Sequence, residues 1–184
     1  MWIVQKNNPI EAPVSIKSQK TQTSQPKDET ANWQTYRNEK YGFEFKYPNN
    51  FLYDEDIAGS ENTLYSITFG LPYKEVFGEE HPNYKTAQGI EFIINKKASN
   101  LENFIQDDKG AVVGVEDSTE KLGETRVLNF PAQIMKYCNM GGYCDKAIYF
   151  TDNRYIYSIK YPISDSVIDQ KIFNQILSTF KFTN

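Results

Sequence analysis

Aromatic residues dominate the sequence after its first 31 residues, and they constrain the fold more than any other feature. Between Trp33 and Tyr47 the chain carries six rings, and residues 41–47 alternate aromatic with polar side chains. This period of two is typical of a strand with one buried face. The 184 residues include 13 Tyr, 12 Phe and 2 Trp. Because each ring buries roughly 150–250 Å², the sequence predicts a packed core in spite of a mean hydropathy of −0.63.

Several further segments predict antiparallel strands. They are residues 64–69, 89–95, 125–130, 132–137, 146–150 and 154–161. Residues 151–153 (Thr-Asp-Asn) predict a hairpin connection between the last two strands. Pro131 predicts a break or a bulge between its two neighbouring strands, because proline has no backbone N–H to donate to a sheet.

Two helices are predicted in the second half of the chain. Ser99 and Glu102 have the spacing of a capping box ahead of apolar residues. A second helix is predicted at about residues 165–178, where apolar residues form one stripe that would lie on a sheet face. Residues 179–182 alternate again and predict a short closing strand. The elements together predict an α+β fold with a central antiparallel sheet flanked by helices.

The N-terminal segment has a different composition. Residues 5–31 contain no aromatic residue, three prolines and many Gln, Lys, Ser and Thr residues, so they cannot bury enough apolar area to offset the entropy of ordering. We therefore expect residues 1–31 to form a disordered tether and residues 32–184 to form one domain. The apolar residues 1–4 are either a simple start or the remnant of a membrane anchor, since a spanning helix takes about 20 residues.

The two cysteines predict a disulfide across the neck of a hairpin. Cys138 and Cys144 are separated by five residues that include Gly141 and Gly142, a spacing that matches neither a C-x-x-C redox motif nor a zinc ribbon. Paired hairpin strands bring such positions within the Cα separation of about 4.4–6.8 Å that the bond requires. A disulfide persists only in an oxidising compartment, so this pairing predicts an extracytoplasmic location. The alternative is two free, buried cysteines in a cytosolic protein.

Few residues suggest catalysis or metal binding. The cluster Glu79, Glu80 and His81 combines carboxylates with the single histidine of the chain, so it is the candidate metal or acid–base site. The flanking glycine and proline favour a solvated loop instead. Asp54 and Asp56 imitate the start of a calcium-binding EF-hand loop, but the later ligand positions are occupied by other residues, which favours surface carboxylates. The sequence contains no nucleophile elbow and no phosphate-binding loop, so neither of those site classes is predicted.

Three motifs of the sequence resemble the PsbP-like family (Mog/PsbP fold). They are W-x-x-Y at residues 33–36, Y-G-F-x-F-x-Y-P at residues 41–48 and I-L-S-T-F-K-F at residues 176–182. This family contains the extrinsic lumenal subunit of photosystem II and many bacterial exported proteins and lipoproteins. The resemblance covers residues 32–184 and implies a central antiparallel sheet flanked by helices, export from the cytoplasm and, as a rule, no enzymatic activity. It does not imply a photosystem role.

The leading hypothesis is therefore an exported, membrane-tethered, non-enzymatic domain that binds or supports a cell-envelope protein or glycan. We expect a monomer without a cofactor, which contacts the membrane only through an N-terminal anchor. The net charge of −4 disfavours nucleic-acid binding. One alternative is a surface hydrolase or metal-dependent enzyme that uses His81 and nearby carboxylates. Another is a carbohydrate- or peptide-binding module that uses exposed tyrosines, for which the candidates are Tyr73, Tyr84, Tyr137 and Tyr143.

Overall fold

A computed structural model of the chain describes residues 28–56, 62–87, 89–98, 100–105, 118–139, 141–163 and 169–183. Most of the predicted tether, including residues 1–4, lies outside these ranges. Residues 28–31, which the sequence analysis assigned to the tether, form a turn against the folded domain. The Glu29 carboxylate lies 2.7 Å from Lys171 Nζ, and the Thr30 carbonyl accepts a hydrogen bond from Lys46 Nζ at 3.3 Å. These contacts attach the turn at residues 28–31 to the folded domain.

The strands of the described residues form two antiparallel sheets. In chain order they are β1 (Gln34–Asn38), β2 (Phe43–Tyr47), β3 (Leu52–Asp56), β4 (Thr63–Gly70), β5 (Ile90–Lys96), β6 (Ser118–Val127), β7 (Phe130–Cys138), β8 (Cys144–Thr151), β9 (Tyr155–Pro162) and β10 (Lys181–Phe182). The small sheet has the order β1-β2-β10, and the large sheet has the order β3-β4-β5-β9-β8-β7-β6. The predicted closing strand is confirmed, because β10 pairs with β2.

Within the described residues, three helical segments accompany the sheets: α1 (Tyr73–Phe77), α2 (residues 101–105) and α3 (Gln170–Thr179). Asp169 caps α3 by accepting a hydrogen bond from the backbone N–H of Lys171 at 2.9 Å. The cap of α2 is Asn100, whose Oδ1 accepts a hydrogen bond from the N–H of Asn103 at 2.7 Å. This cap corrects the predicted capping box, whose Ser99 lies outside the described residues. Each cap satisfies an N–H group that the first helical turn leaves without an intrahelical partner.

The main core lies between the two sheets and is built largely from rings. The alternation at residues 43–47 is confirmed, because Phe43, Phe45 and Tyr47 are all buried. Phe45 stacks on Phe92 of the large sheet, with ring centroids 4.1 Å apart and an interplanar angle of 9°. Helix α3 adds Phe173 and other apolar side chains to the same core. The rings thus bury enough apolar surface to hold the two sheets together.

The outer face of the large sheet is covered in two parts. Over β7, β8 and β9, helix α2 packs Phe104 and Ile105 against Met135 and Tyr149 in a second, smaller apolar cluster. Over β3, β4 and β5, the segment between β4 and β5 lies above the sheet, and a groove separates the two. The fold therefore closes one part of the outer face with apolar side chains and leaves an open, polar groove over the other part.

The connection between β6 and β7 differs from the prediction. The turn lies at Leu128 and Asn129, and Pro131 stands inside β7 opposite Arg126. Proline is tolerated there because pairing of β7 with β8 begins only at Ala132, so the missing N–H interrupts no bond on that side. The predicted break at Pro131 is wrong, and the hairpin turns two residues earlier.

Candidate binding groove

The loop between β4 and β5 is closed at its base by backbone hydrogen bonds. The N–H of Tyr73 donates to the carbonyl of Lys85 at 2.8 Å, and the N–H of Ala87 donates to the carbonyl of Leu71 at 2.9 Å. Just beyond the base, a Cβ at Gly89 would lie 2.0 Å from the carbonyl oxygen of Phe69. The close approach of these two backbone segments therefore requires glycine. These contacts make residues 72–86, called here the 72–86 loop, a compact loop with joined ends.

Asp54 of β3 fixes the 72–86 loop to the edge of the large sheet. Its Oδ2 accepts hydrogen bonds from the N–H of Lys85 at 2.8 Å, the N–H of Thr86 at 2.9 Å and the Thr86 hydroxyl at 3.0 Å. Hydrogen bonds to an ionised carboxylate are stronger than those between neutral groups. The sequence predicts that Asp54 is a surface carboxylate, but in the structure its hydrogen bonds hold the 72–86 loop in position.

The 72–86 loop carries a cluster of rings, which we call the aromatic lip: Tyr73, Phe77, His81 and Tyr84. The ring of Tyr73 lies 4.5 Å from that of Phe77 and 4.9 Å from that of His81, which in turn lies 4.7 Å from Tyr84. Phe77 is 56% exposed and Tyr84 is 58% exposed. Contiguous exposed rings of this kind often mark a surface where a ligand or partner binds.

A groove of about 470 Å³ lies between the aromatic lip and the outer face of the large sheet. Its floor follows one row of directly opposed residues across four strands, in which Asp54 faces Thr68, Thr68 faces Glu91 and Glu91 faces Lys160. Asp145 of β8 also lines the groove. The volume falls within the range of about 300–1,000 Å³ that is usual for small-ligand sites.

The groove carries more negative than positive charge. Among the described residues that line it, Asp54, Glu91 and Asp145 carry carboxylates and Lys160 carries an ammonium group. Burial raises the pKa of Asp145, and the nearby charge of Lys160 acts in the opposite direction without cancelling that effect. Because a concave surface concentrates the field of its charges, the groove presents a negative potential to whatever enters it.

The structure does not assemble the predicted metal site at residues 79–81. Glu80 forms an ion pair with Lys74 at 3.2 Å, Glu79 is exposed, and Nδ1 of His81 accepts a hydrogen bond from the N–H of Asn83 at 3.2 Å. Within the described ranges, no group of three His, Cys, Asp or Glu side chains lies close enough to hold a metal ion. His81 contributes instead to the aromatic lip, where its ring contacts two tyrosines.

The structure separates the four candidate tyrosines. Tyr73 and Tyr84 meet at the aromatic lip, as the binding-module alternative requires. Tyr137 is partly buried and packs near Tyr149, with ring centroids 6.3 Å apart. Tyr143 is 58% exposed on the hairpin between β7 and β8 and does not line the groove.

Sequence reasoning missed the other residues that build the groove. Phe77 was not a candidate because one exposed ring in a polar loop gives no periodic signal. Glu91 and Lys160 lie on strands that were predicted, and their polar character within apolar runs marks an outward face, whereas Asp145 precedes the predicted strand at residues 146–150. That signal places each residue on a strand face but does not say which strands are neighbours, so the sequence alone did not bring them together.

No family model matches the sequence, and no curated protein matches it. Among solved structures, the chain is similar to the solution structure of cyanobacterial PsbP (CyanoP) from Synechocystis sp. PCC 6803, with a TM-score of 0.54. The match covers 81% of this chain and 91% of that chain at 17% sequence identity. The fold is PsbP-like. This result confirms the fold that the motifs implied, and at such low identity it carries no further function with it.

The two cysteines lie across the hairpin neck as predicted, at a Cα separation just below the expected range. Cys138 and Cys144 are opposite each other in the register of β7 and β8, with Cα atoms 4.1 Å apart and sulfur atoms at the bonding distance of 2.02 Å. Gly142 in the connection has a φ of 80°, a conformation that favours glycine. A disulfide pair at this position fits an extracytoplasmic location. No helix of the described ranges is both long and apolar enough to span a bilayer.

Proposed function

We propose that the chain is an extracytoplasmic, non-enzymatic binding domain that holds a component of the cell envelope in the groove beneath the aromatic lip. The observation that carries the proposal is the aromatic lip itself, in which Phe77 and Tyr84 stay largely exposed on a loop held in place by Asp54. Leaving large rings in water forgoes their burial energy. A preformed loop that displays them is therefore suited to a partner that covers them.

The location outside the cytoplasm rests on two independent features. Cys138 and Cys144 form a pair that an oxidising compartment would maintain. Residues 5–27 have the composition of a flexible linker, and we propose that this linker tethers the domain to the membrane. A tethered domain needs only modest affinity for its partner, since the tether raises the effective concentration of both.

The absence of catalysis is also part of the proposal. Hydrolysis needs an acid–base pair or an activated nucleophile held within hydrogen-bond reach. Nδ1 of His81, the natural candidate for the base, accepts a backbone N–H within its own loop. Glu80 is engaged with Lys74, and Asp54 accepts three hydrogen bonds from the loop base. These arrangements suit a binding surface better than a reaction centre.

Co-sedimentation with the envelope fraction of the source organism tests the proposal. The purified chain should sediment with the fraction, and the double variant Phe77→Ala/Tyr84→Ala should lose about 1–3 kcal/mol of binding free energy, as expected when two contact rings are truncated. The matched control is Tyr143→Ala, which removes a ring of the same 58% exposure as Tyr84 from outside the groove. Equal sedimentation of the wild type and the double variant would exclude the groove as the binding surface.

A further inference from the structure

The charge of the groove narrows the class of its ligand, and this inference rests on the proposed function. We propose that the groove binds a cationic peptide segment, with a lysine or arginine side chain placed between the aromatic lip and the carboxylates of the floor. The outer-face groove is where the described residues bring exposed rings and carboxylates together around one cavity.

The charges on the floor of the groove favour a cationic ligand. Lys160 stands directly opposite Glu91 in the register of β5 and β9, and its charge also acts on Asp145. Asp54 adds a third negative charge on the same face. An incoming ammonium or guanidinium group would gain from this imbalance, whereas a neutral ligand would not and an anionic ligand would be repelled.

The position of the rings also favours such a ligand. Tyr73, Phe77 and Tyr84 line the same groove as the carboxylates. The faces of aromatic rings attract cations, and the long alkyl stems of lysine and arginine pack well against apolar surfaces. Rings on one wall and carboxylates on the floor therefore complement both parts of such a side chain.

The size of the groove also favours a peptide segment over a small amine. A cavity of about 470 Å³ is in the range that holds ligands larger than one side chain. The groove runs across five adjacent strands of the large sheet, from β3 through β4, β5 and β9 to β8. A short peptide segment fits this geometry better than a compact amine.

Isothermal titration of the full chain with short capped peptides tests the proposal. The probe alternates lysine with glycine, and two matched probes replace lysine with glutamine or glutamate. We expect the lysine peptide to bind at least about tenfold more tightly than the glutamine peptide, and the glutamate peptide not to bind. Raising the salt concentration from about 50 mM to about 300 mM should weaken the lysine peptide, because the partly exposed charges are screened.

Variants of the floor locate the binding. Glu91→Gln and Asp145→Asn should each weaken the lysine peptide by about threefold to tenfold, while Glu120→Gln, which removes an exposed charge from β6, should change binding by less than about twofold. Both groove variants keep the shape of the side chain, and circular dichroism verifies their fold. Phe77→Ala/Tyr84→Ala should also weaken the lysine peptide.

Three results would overturn the proposal that the groove binds a cationic peptide. They are equal affinity for the lysine and glutamine peptides, unchanged binding by both floor variants, and absence of binding by any peptide. A neutral oligosaccharide serves as a separate probe. If it binds and the double ring variant abolishes its binding, the groove retains its proposed function and the cationic peptide is wrong. If envelope co-sedimentation is also insensitive to the ring variant, the proposed function itself fails.

Discussion

Replacement of Asp54 by alanine should release the 72–86 loop from the sheet without unfolding the domain. The Asp54 carboxylate is the acceptor for two backbone N–H groups and one hydroxyl at the base of this loop. Its removal leaves the N–H groups of Lys85 and Thr86 without an acceptor, and water reaches the partly buried N–H of Thr86 more readily when the loop base opens. The core between the sheets does not include Asp54, so the main apolar contacts remain.

The size of the effect follows from the three lost hydrogen bonds. A hydrogen bond to a charged group contributes about 1.5–3 kcal/mol when it is shielded from water, and the two bonds to Thr86 are only partly buried. The bond from Lys85 is exposed and contributes less. We therefore expect the local opening free energy of the loop to fall by about 2–3 kcal/mol.

Native-state hydrogen exchange measures this change directly, because it reports local opening separately from global unfolding. The amide of Tyr73, which donates to Lys85 across the loop base, and the amide of Ala87, which donates to Leu71, are the reporters. A loss of 2–3 kcal/mol corresponds to exchange that is roughly 30- to 140-fold faster. Asp54→Asn keeps one acceptor oxygen and should give a smaller increase. Amides in the middle of β5 serve as the internal control.

The reasoning is refuted if Asp54→Ala accelerates the two reporter amides by less than about threefold. It is also refuted if the variant accelerates the amides of β5 to the same extent, since that would mean that Asp54 stabilises the whole domain. A third informative variant is Thr86→Val, which removes only the hydroxyl bond and should produce the smallest change of the set.

Three further predictions concern the disulfide, a buried acid and the core. Mass spectrometry of the alkylated, non-reduced protein from its own cells should find Cys138 and Cys144 unmodified, and reduction should cost about 2 kcal/mol of stability because the closed loop is short. Burial tends to raise the pKa of Asp152, but hydrogen bonds from neighbouring backbone N–H groups and from Arg154 outweigh it, so the pKa is lowered. The ionised carboxylate therefore contributes to folding stability above the ordinary pKa of 3.8. This contribution is lost as the pH falls through the lowered pKa. In urea titrations, Asp152→Asn should therefore be less stable than the wild type at pH 7, and the difference should shrink on acidification below about pH 4. Phe45→Ala should cost about 3–5 kcal/mol in the same assay, because Phe45 is buried between the sheets and stacks on Phe92.

The parts of the fold that could be predicted are those whose burial imposes a period on the sequence. Strand β2 could be predicted because its buried rings alternate with polar residues, and helix α3 could be predicted because its apolar side chains form one stripe. Strand β3 could not be predicted, because three of its five residues are acidic and edge strands carry little apolar signal. Most of β6 escaped prediction for the same reason: it is the other edge of the large sheet, and its residues up to Glu124 are mainly polar.

The groove was harder to predict than the fold because its chemistry is distributed over pairings that are distant in sequence. Asp54 and Thr86 are separated by 32 positions, and Glu91 meets Lys160 only because β5 and β9 are neighbours in the large sheet. Local patterns assigned each of these residues to a loop or a strand face. Only the strand order shows that they surround one cavity.

His81 illustrates how the same residue changes meaning when its surroundings are known. In the sequence His81 follows two glutamates, so its imidazole is a candidate metal ligand or general base. In the structure the nearest aromatic partners are Tyr73 and Tyr84, at 4.9 Å and 4.7 Å, and Glu80 is engaged with Lys74. The ring therefore matters here as a planar group that links two tyrosines of the aromatic lip.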